Sequence, residues 1–180
     1  KSYRDSIRRQ AAEFGRNPDD IKVLFLAQPI IDVTMEAARE RLRMKEAEAD
    51  QHIDLHLSGM SRLTGIDFSK FDLDTPLPEL TTNGHQSSLA KWIGKTPRAI
   101  VKTYGRKAGI DFTGTADHVA GMMQEVMEEV GGDGFLIFNS YFDRRYVIEV
   151  CDGLVPELQR RGVTRKAYEH RHLKDNLLEF

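Results

Sequence analysis

The stretch from Gly114 to Phe138 constrains the fold most, because its pattern predicts a helix that runs directly into a buried strand. Apolar residues recur at helical spacing across Val119–Val130 and form one stripe. Thr115 suits the N-cap position, and Gly131 suits the end of the helix. The four apolar residues of Phe135–Phe138 do not alternate with polar ones, which predicts a strand covered on both faces, as in a parallel sheet.

The same helix-then-strand order occurs near the start of the chain. Apolar residues between Tyr3 and Phe14 fall on one helical face, and Gly15 follows them. The segment Ile21–Ala27 is again almost continuously apolar, and Pro29 closes it, so we predict a second covered strand. Two helix–strand units of this kind are typical of an α/β fold.

A helical insertion is predicted between the two strands, over residues 34–112. Thr34 suits the N-cap of a long helix from Met35 to about Asp50, and Thr96 with Pro97 begins a later one. The strands are about 80 residues apart, far more than an ordinary strand-to-helix connection needs. Insertions of this length commonly form a lid or a substrate pocket, so we expect that role here.

An amphipathic stripe follows the second strand, over Val147–Leu158. Pro156 lies inside it, so the helix is expected to kink or to restart with Pro156 near its first turn. Cys151 falls on the apolar stripe and is predicted to be a packed core thiol. The pair Arg160–Arg161 is predicted to be a solvated helix end.

Composition narrows the class of protein. The chain has 180 residues, enough to bury a core, and a net charge of −2, which predicts no general affinity for nucleic acid or for an anionic membrane. Its single cysteine, Cys151, fits a reducing compartment. There is no secretory signal and no apolar run long enough to span a bilayer. We therefore expect a cytoplasmic protein.

Few residues point to chemistry on their own. His52 and His56 have the i, i+4 spacing of a helical metal site but lack the glutamate of a metalloprotease motif, so no metal site is predicted. His85 lies in a polar turn and His56 on a helix with an apolar face. Each is either an exposed surface histidine or a group that faces a substrate. From the residues alone, the chain is an α/β domain with a large helical insertion.

Several segments in series resemble the C-terminal part of the flavin-dependent monooxygenases of the bacterial luciferase-like group. The resemblance is greatest to the branch of nitrilotriacetate monooxygenase component A and dibenzothiophene sulfone monooxygenase. The matching segments span nearly the whole chain in the family's order: Gly15–Leu24, Thr64–Ser69, Leu73–Leu80, Gly114–Ala120, Asp133–Phe135 and Val155–Gly162.

The resemblance implies a (β/α)8 TIM barrel, of which residues 1–180 would be the C-terminal part. Ile21–Ala27 would be the seventh strand and Phe135–Phe138 the eighth. Two strands cannot close a barrel, and Lys1 begins in sequence typical of a helix interior, so we expect a longer protein to contain this chain. The cofactor-binding residues would lie mostly upstream of Lys1.

The resemblance also implies an activity. A two-component monooxygenase would use reduced FMN, delivered by a separate NAD(P)H:FMN reductase, and O2 to form a flavin C4a-peroxide. It would then oxygenate a small organic substrate with a C–N or C–S bond. A homo-oligomer is expected. Residues 139–142 depart from the family's usual segment after Asp133–Phe135, and His172–Lys174 replaces the family's closing segment, which leaves the exact substrate open.

Four residues are the candidate site residues. In a TIM barrel the active site lies at the carboxyl ends of the strands, where Gln28 and Asn139 follow the two predicted strands. These two residues and His85 are predicted to bind substrate, and His56 is predicted to be catalytic, as a neutral imidazole that donates a hydrogen bond during oxygen transfer. Two alternatives remain: a non-catalytic module derived from the barrel, and a deazaflavin-dependent oxidoreductase of the same superfamily.

Overall fold

The structure is a computed structural model that describes residues 1–104, 110–139 and 143–179. The chain divides into two compact units. The first combines Lys1–Arg39 with Ala108–Phe180, and the second is Glu40–Lys107. The second unit falls within the predicted insertion of residues 34–112, of which residues 105–109 lie outside the described part. Its role as a lid stays a prediction.

The elements of the described residues follow one another along the chain. The helices are α1 (Ser2–Glu13), α2 (Met35–Gln51), α3 (Ile53–Thr64), α4 (Gln86–Trp92), α5 (Pro97–Tyr104), α6 (Ala116–Val130), α7 (Arg144–Ile148), α8 (Val155–Arg160) and α9 (Leu173–Leu178). The strands are β1 (Phe25–Ala27), β2 (Ile30–Ile31), β3 (Thr113–Gly114) and β4 (Phe135–Ile137). In the part of the chain described here, no helix is both long enough and apolar enough to cross a bilayer.

The first unit contains two parallel strand pairs. Strand β1 pairs with β4, with Phe25 opposite Phe135 and Ala27 opposite Ile137. Strand β2 pairs with β3, and neither was predicted, since two residues are too few to carry a strand pattern. The predicted strands are also shorter than expected. Their parallel pairing agrees with the α/β fold predicted from the sequence.

The prediction that both strands are covered on both faces is wrong for the described chain. Leu26 and Leu136 lie opposite each other, and they are 41% and 54% exposed. The other face is packed, because Ala27 and Ile137 lie in a core with Val119 of α6. Helices therefore cover one face of this two-stranded sheet, whereas in a closed barrel side chains of the remaining strands fill the other.

Helix α6 has the ends that its sequence predicts. Thr115 caps it by accepting a hydrogen bond from the backbone N–H of His118 at 3.3 Å, and Gly131 ends it with φ of 66°. Its buried residues Val119, Ala120 and Met123 pack under the strands. A cap of this kind stabilises a helix by about 1 kcal/mol, so most of the stability comes from the buried face.

The turn between α6 and β4 is tied to the start of the chain by Asp133. Its carboxylate accepts a hydrogen bond from the backbone N–H of Val23 at 2.8 Å and one from Arg4 of α1 at 3.5 Å. Next to it, Phe25 donates its backbone N–H to the carbonyl of Gly134 at 3.1 Å. These bonds hold β1 in register with β4, although about 110 residues separate them in sequence.

The predicted restart at Pro156 is confirmed, with a π-helical turn before it. The turn covers Glu149–Leu154. Helix α8 begins at Val155, and Pro156 lies in its first turn. The prediction that Cys151 is a packed thiol is wrong, because the residue is exposed. A π turn holds more residues than an α turn, so it rotates the stripe and leaves Leu154 buried while Cys151 faces outward.

The second unit has a separate core built from α3, α4, α5 and the loop between α3 and α4. Its centre is Phe68, whose ring meets that of Trp92 edge-to-face at 5.8 Å. The remaining buried members are aliphatic or sulfur side chains, namely Leu57, Met60, Leu77, Leu89, Ile100 and Val101.

The helix starts predicted at Thr34 and Thr96 are confirmed, since each hydroxyl accepts a backbone N–H of the first turn.

In the second unit, the backbone at Gly84 passes very close to the backbone at Thr64, the last residue of α3, and a substitution at Gly84 tests this contact. A Cβ at Gly84 would lie 2.8 Å from the carbonyl carbon of Thr64, a backbone atom that cannot move aside. Gly84→Ala should therefore lower the free energy of unfolding of the intact protein by about 1–3 kcal/mol, as measured by urea denaturation.

Gly59 provides the matched control, because a Cβ there would meet no heavy atom within 4 Å and the residue lies inside α3. Gly59→Ala should be neutral or stabilising by about 0.5–1 kcal/mol. A Gly84→Ala variant as stable as the Gly59→Ala variant would show that the crossing is not close.

Candidate functional site

The carboxyl ends of β1 and β4 bring two predicted site residues together. Phe138 donates its backbone N–H to the carbonyl of Ala27 at 2.8 Å, which aligns the two ends. Gln28 then donates from Nε2 to Oδ1 of Asn139 at 3.1 Å. Parallel strands place their carboxyl ends at the same edge, so residues 111 positions apart in the sequence become hydrogen-bonded neighbours.

This amide pair is partly buried and only partly satisfied. Asn139 is 8% exposed, and the side-chain oxygen Oε1 of Gln28 is buried with no hydrogen-bond partner among the residues that the structure describes. An acceptor that is shielded from water without a partner costs about 1–3 kcal/mol. This oxygen lies at the edge of the sheet where α/β enzymes bind ligands.

Tyr146 of α7 supports the end of β4. Its hydroxyl donates to the backbone carbonyl of Phe138 at 3.2 Å, and its backbone N–H donates to the capping carboxylate of Asp143 at 2.7 Å. Burial raises the pKa of the Tyr146 phenol to about 12, with the nearby charge of Glu149 as a second cause. The phenol therefore stays neutral and keeps its proton for the carbonyl.

A cleft of about 950 Å³ opens at the carboxyl ends of β2 and β3. Its walls come from the ends of those strands, from the first turn of α6, from α7 and from the π turn. Both apolar and polar side chains line the cleft, and the lining residues are Ile31, Asp32, Val33, Thr115, Ala116, Asp117, Arg144, Arg145, Ile148, Glu149, Asp152 and Gly153. This volume is within the range of small-molecule sites.

Arg145 links two walls of the cleft. Its guanidinium donates to Asp32 at 2.8 Å and to Glu149 at 2.6 Å. Both carboxylates are largely shielded, with side chains 12% and 14% exposed. The hydrogen bond that Arg145 donates to Glu149 and the charge of that carboxylate raise the pKa of Arg145, and the charge of Asp32 adds to the effect. The cluster thus fixes α7 and the π turn to the end of β2.

A second cluster holds the first turn of α6, where Asp117 lines the cleft. Its carboxylate oxygen Oδ1 accepts from Arg161 at 2.7 Å and from Arg160 at 2.9 Å. The hydrogen bond from Arg161 is the main cause of the lowered pKa of Asp117. The predicted helix end at Arg160 is confirmed, and the Arg160 side chain is exposed, whereas Arg161 is partly shielded because it packs and pairs against α6.

The two predicted histidines lie in the second unit. His56 is half-buried on α3. His85 is exposed and caps α4, because its Nδ1 accepts a hydrogen bond from the backbone N–H of Ser88 at 3.3 Å. Their roles toward the amide pair stay predictions. Among the described residues, no group of three or more side chains is arranged to hold a metal ion.

Sequence reasoning missed Tyr146, Arg145 and Asp32. The i, i+4 spacing of Arg145 and Glu149 was visible and predicts a helical ion pair, but the partner across the cleft was not. Asp32 lies after a two-residue strand that no periodicity reveals. The sequence departs from the related family over residues 139–142, of which residues 140–142 lie outside the described residues.

Comparisons with known proteins give consistent matches, although the chain matches no family profile. N-acetyl-S-(2-succino)cysteine monooxygenase of Bacillus subtilis is 32% identical over 186 residues, covering 98% of this chain and 42% of that protein. Nitrilotriacetate monooxygenase component A of Aminobacter aminovorans is 30% identical, covering 98% and 41% respectively. The chain thus spans about two-fifths of the length of these relatives.

A solved structure matches the fold over the same extent. The crystal structure of riboflavin lyase with modified FMN and riboflavin superposes with a TM-score of 0.82 at 26% identity, covering 98% of this chain and 39% of that one. In the sequence relatives and in this solved structure alike, the matched region is therefore about two-fifths of the relative's length.

The role of Tyr146 can be tested by alkaline titration of the intact protein. A pKa raised in the folded state means that the phenol contributes stability that is complete below its ordinary pKa of about 10. That contribution is lost as the pH rises through about 12. Tyr146→Phe should remove the latest phenol ionisation from the ultraviolet absorbance titration and reduce the loss of stability in this range.

The exposed Tyr3 serves as the control, and Tyr3→Phe should leave that late ionisation in place. If Tyr146→Phe leaves the latest ionisation unchanged, then the phenol is not buried against Phe138 as described.

Proposed function

The chain belongs to the luciferase-like group of flavin-dependent monooxygenases, whose C-terminal part it matches, and from this premise we propose that the intact protein is a two-component monooxygenase. It would take reduced FMN from a separate NAD(P)H:FMN reductase. The substrate is a small organic molecule that bears a C–N or C–S bond and gains one oxygen atom. Two relatives support this class by name, since one acts on a thioether and the other on a tertiary amine.

The residues at the carboxyl ends of β1 and β4 fit a flavin. The Gln28–Asn139 pair is uncharged and partly buried, and its amide groups suit an uncharged polar ligand, such as an isoalloxazine edge or the substrate beside it. Bound reduced FMN supplies the two electrons with which O2 is split, one oxygen atom going to the substrate and the other to water.

The chain's own residues position the substrate and limit water. We assign substrate contacts to Asn139, Gln28 and His85, as the sequence predicts. The cleft beside β2 and β3 provides apolar walls next to the charged Asp32–Arg145–Glu149 cluster, which keeps those walls in place. A preorganised polar site of this kind needs no rearrangement during the reaction.

His56 is assigned the role of a neutral hydrogen-bond donor during oxygen transfer. It is half-buried on α3, a helix with buried residues on its inner face, which limits its freedom to move. A positioned imidazole of this kind raises a rate by about 10²-fold or more.

The observation that carries the proposal is the partly buried pair of amide side chains at the carboxyl ends of two parallel strands, together with the match to flavin-dependent relatives. The test supplies the intact protein with FMN, NADH, an NADH:FMN reductase and ¹⁸O2. Nitrilotriacetate, N-acetyl-S-(2-succino)cysteine and a diaryl sulfone serve as candidate substrates. We expect one of them to gain a single labelled oxygen atom, and only when the flavin is reduced.

Two results would contradict the proposal. A protein that binds reduced FMN but labels no member of a wide set of amines, thioethers and sulfones would not be a monooxygenase of this class. Hydride transfer from a reduced deazaflavin without O2 would instead identify the protein as an oxidoreductase of the same superfamily.

His56→Ala in the intact protein should lower coupled oxygenation by about 10²-fold, because the donor to the transferred oxygen is lost. The NADH consumption of the reductase should be unchanged, while hydrogen peroxide release should rise. His52→Ala is the matched control, since His52 is exposed just before α3 and makes no side-chain cap.

For His85, the informative variant is His85→Asn, which keeps a capping side chain for α4 and removes the imidazole. Normal turnover and coupling in both His56→Ala and His85→Asn would exclude both histidines from the site.

A further inference from the structure

The turn at Asn83 and Gly84 carries a chemically reactive pair of residues. Both are exposed, and both line a second cleft, of about 600 Å³, beside the end of α3. Of the asparagines in the sequence, Asn83 alone is followed by glycine. Its side-chain amide makes no hydrogen bond with any residue that the structure describes. Because glycine has no Cβ, little obstructs the approach of its backbone nitrogen to the asparagine side chain.

The reaction open to this pair is deamidation. The backbone nitrogen of Gly84 bonds to Cγ of Asn83 and gives up its proton, while the bond from Cγ to the amide nitrogen breaks and ammonia leaves. Water then opens the resulting five-membered imide at either of its two carbonyls. The products are aspartate and isoaspartate, each with a new negative charge, and the reaction needs no oxidant or reductant. Asparagine is a thermolabile residue for this reason.

The folded turn restrains the attacking nitrogen by a hydrogen bond. The backbone N–H of Gly84 donates to Oγ1 of Thr82 at 2.9 Å, and the same hydroxyl donates to the backbone carbonyl of Thr64 at the end of α3. The nitrogen of Gly84 must give up this bond before it can reach Cγ of Asn83. The reaction in the folded protein therefore carries the additional cost of one hydrogen bond.

Close packing adds a second restraint. A Cβ at Gly84 would lie 2.8 Å from the carbonyl carbon of Thr64, so the turn lies directly on the backbone of α3. The next residue, His85, donates its backbone N–H to the carbonyl of Leu63 at 3.1 Å. Closing the imide ring moves the nitrogen of Gly84 and lifts the turn from these contacts. We propose that Asn83 is a deamidation site whose rate in the folded protein is controlled by the hydroxyl of Thr82.

The isoaspartate product changes how the turn is attached to its neighbours. Isoaspartate continues the main chain through its side-chain carbon, which adds one methylene to a backbone that has no spare room beside Thr64. His85 follows two residues after Asn83 and caps α4 through Nδ1. Conversion at Asn83 thus displaces His85 and weakens the cap of α4.

The test compares rates of deamidation in the folded and the unfolded protein. The intact protein is incubated at mildly alkaline pH in buffer and, in parallel, in urea that unfolds it. Peptide mapping by mass spectrometry follows the gain in mass at Asn83, and an isoaspartate methyltransferase assay counts the isoaspartate. Asn17 is the internal control, because Pro18 has no backbone N–H with which to attack it. The ratio of the native rate to the rate in urea measures the restraint and cancels the intrinsic reactivity of the sequence.

We expect a native rate below the rate in urea for the wild type. Thr82→Val has the same shape without the hydroxyl, and it should raise the native-to-urea ratio about three- to tenfold, the size of one hydrogen bond. Thr82→Ser keeps the hydroxyl, and Thr81→Val changes the exposed neighbour, so both should keep the wild-type ratio. Native protein with isoaspartate at position 83 should unfold at a lower urea concentration than fresh protein.

Several results would overturn the proposal. These are a wild-type native rate equal to the rate in urea, a Thr82→Val ratio equal to that of the wild type, and an equal rise in Thr81→Val. If Thr82→Val does not fold, amide hydrogen exchange of the wild type decides. A Gly84 N–H that exchanges like an unstructured amide rules out the bond to Thr82, whereas a protected one supports it.

Discussion

The parallel pairing of β1 with β4 is the interaction on which the first unit depends. Three residues on each strand are matched in register, and the pairing closes a loop of more than 100 residues. Loop closure of this length costs free energy that three residue pairs alone do not return. Asp133 contributes by binding both the backbone before β1 and Arg4 of α1, and the core under Ala27 and Ile137 contributes apolar burial.

The alternation along these strands explains how the sheet is used. Ala27 and Ile137 point toward α6 and the π turn, whereas Leu26 and Leu136 are exposed on the opposite face. The similarity to solved luciferase-like barrels confirms the expected fold class, and this chain spans about two-fifths of each relative. In a closed barrel, the face that carries Leu26 and Leu136 is the one filled by side chains of the other strands. Their exposure is a property of the two-stranded sheet, and their apolar character suits a closed barrel.

Charge clusters then place the walls around the strand ends. Arg145 joins the end of β2 to the π turn through Asp32 and Glu149, and Arg161 joins α8 to the first turn of α6 through Asp117. The carboxylates of Asp32 and Glu149 are shielded, and a shielded carboxylate is costly unless it is paired. Each arginine therefore holds two elements together at a defined spacing. Tyr146 adds a neutral hydrogen bond between α7 and the end of β4.

Much of this could be predicted from the sequence, because the signals are local. The capped helix α6, the order of helix and strand, the restart at Pro156 and the residues that follow the strands all depend on near neighbours in the chain. Propensity, capping and periodicity act over a few residues, so their effects are visible without a fold. The location of Gln28 and Asn139 at one sheet edge also followed, once the strands were taken to be parallel.

Other features were decided only by the tertiary structure. Strands β2 and β3 have two residues each and exist because they pair. Cys151 is exposed because the π turn shifts the phase of its helix, and Arg160 and Arg161 are paired because α6 lies beside α8. The unfilled oxygen of Gln28 depends on which atoms surround it. Exposure, ion pairing and hydrogen-bond satisfaction are sums over neighbours that are distant in sequence, and only the folded chain defines those neighbours.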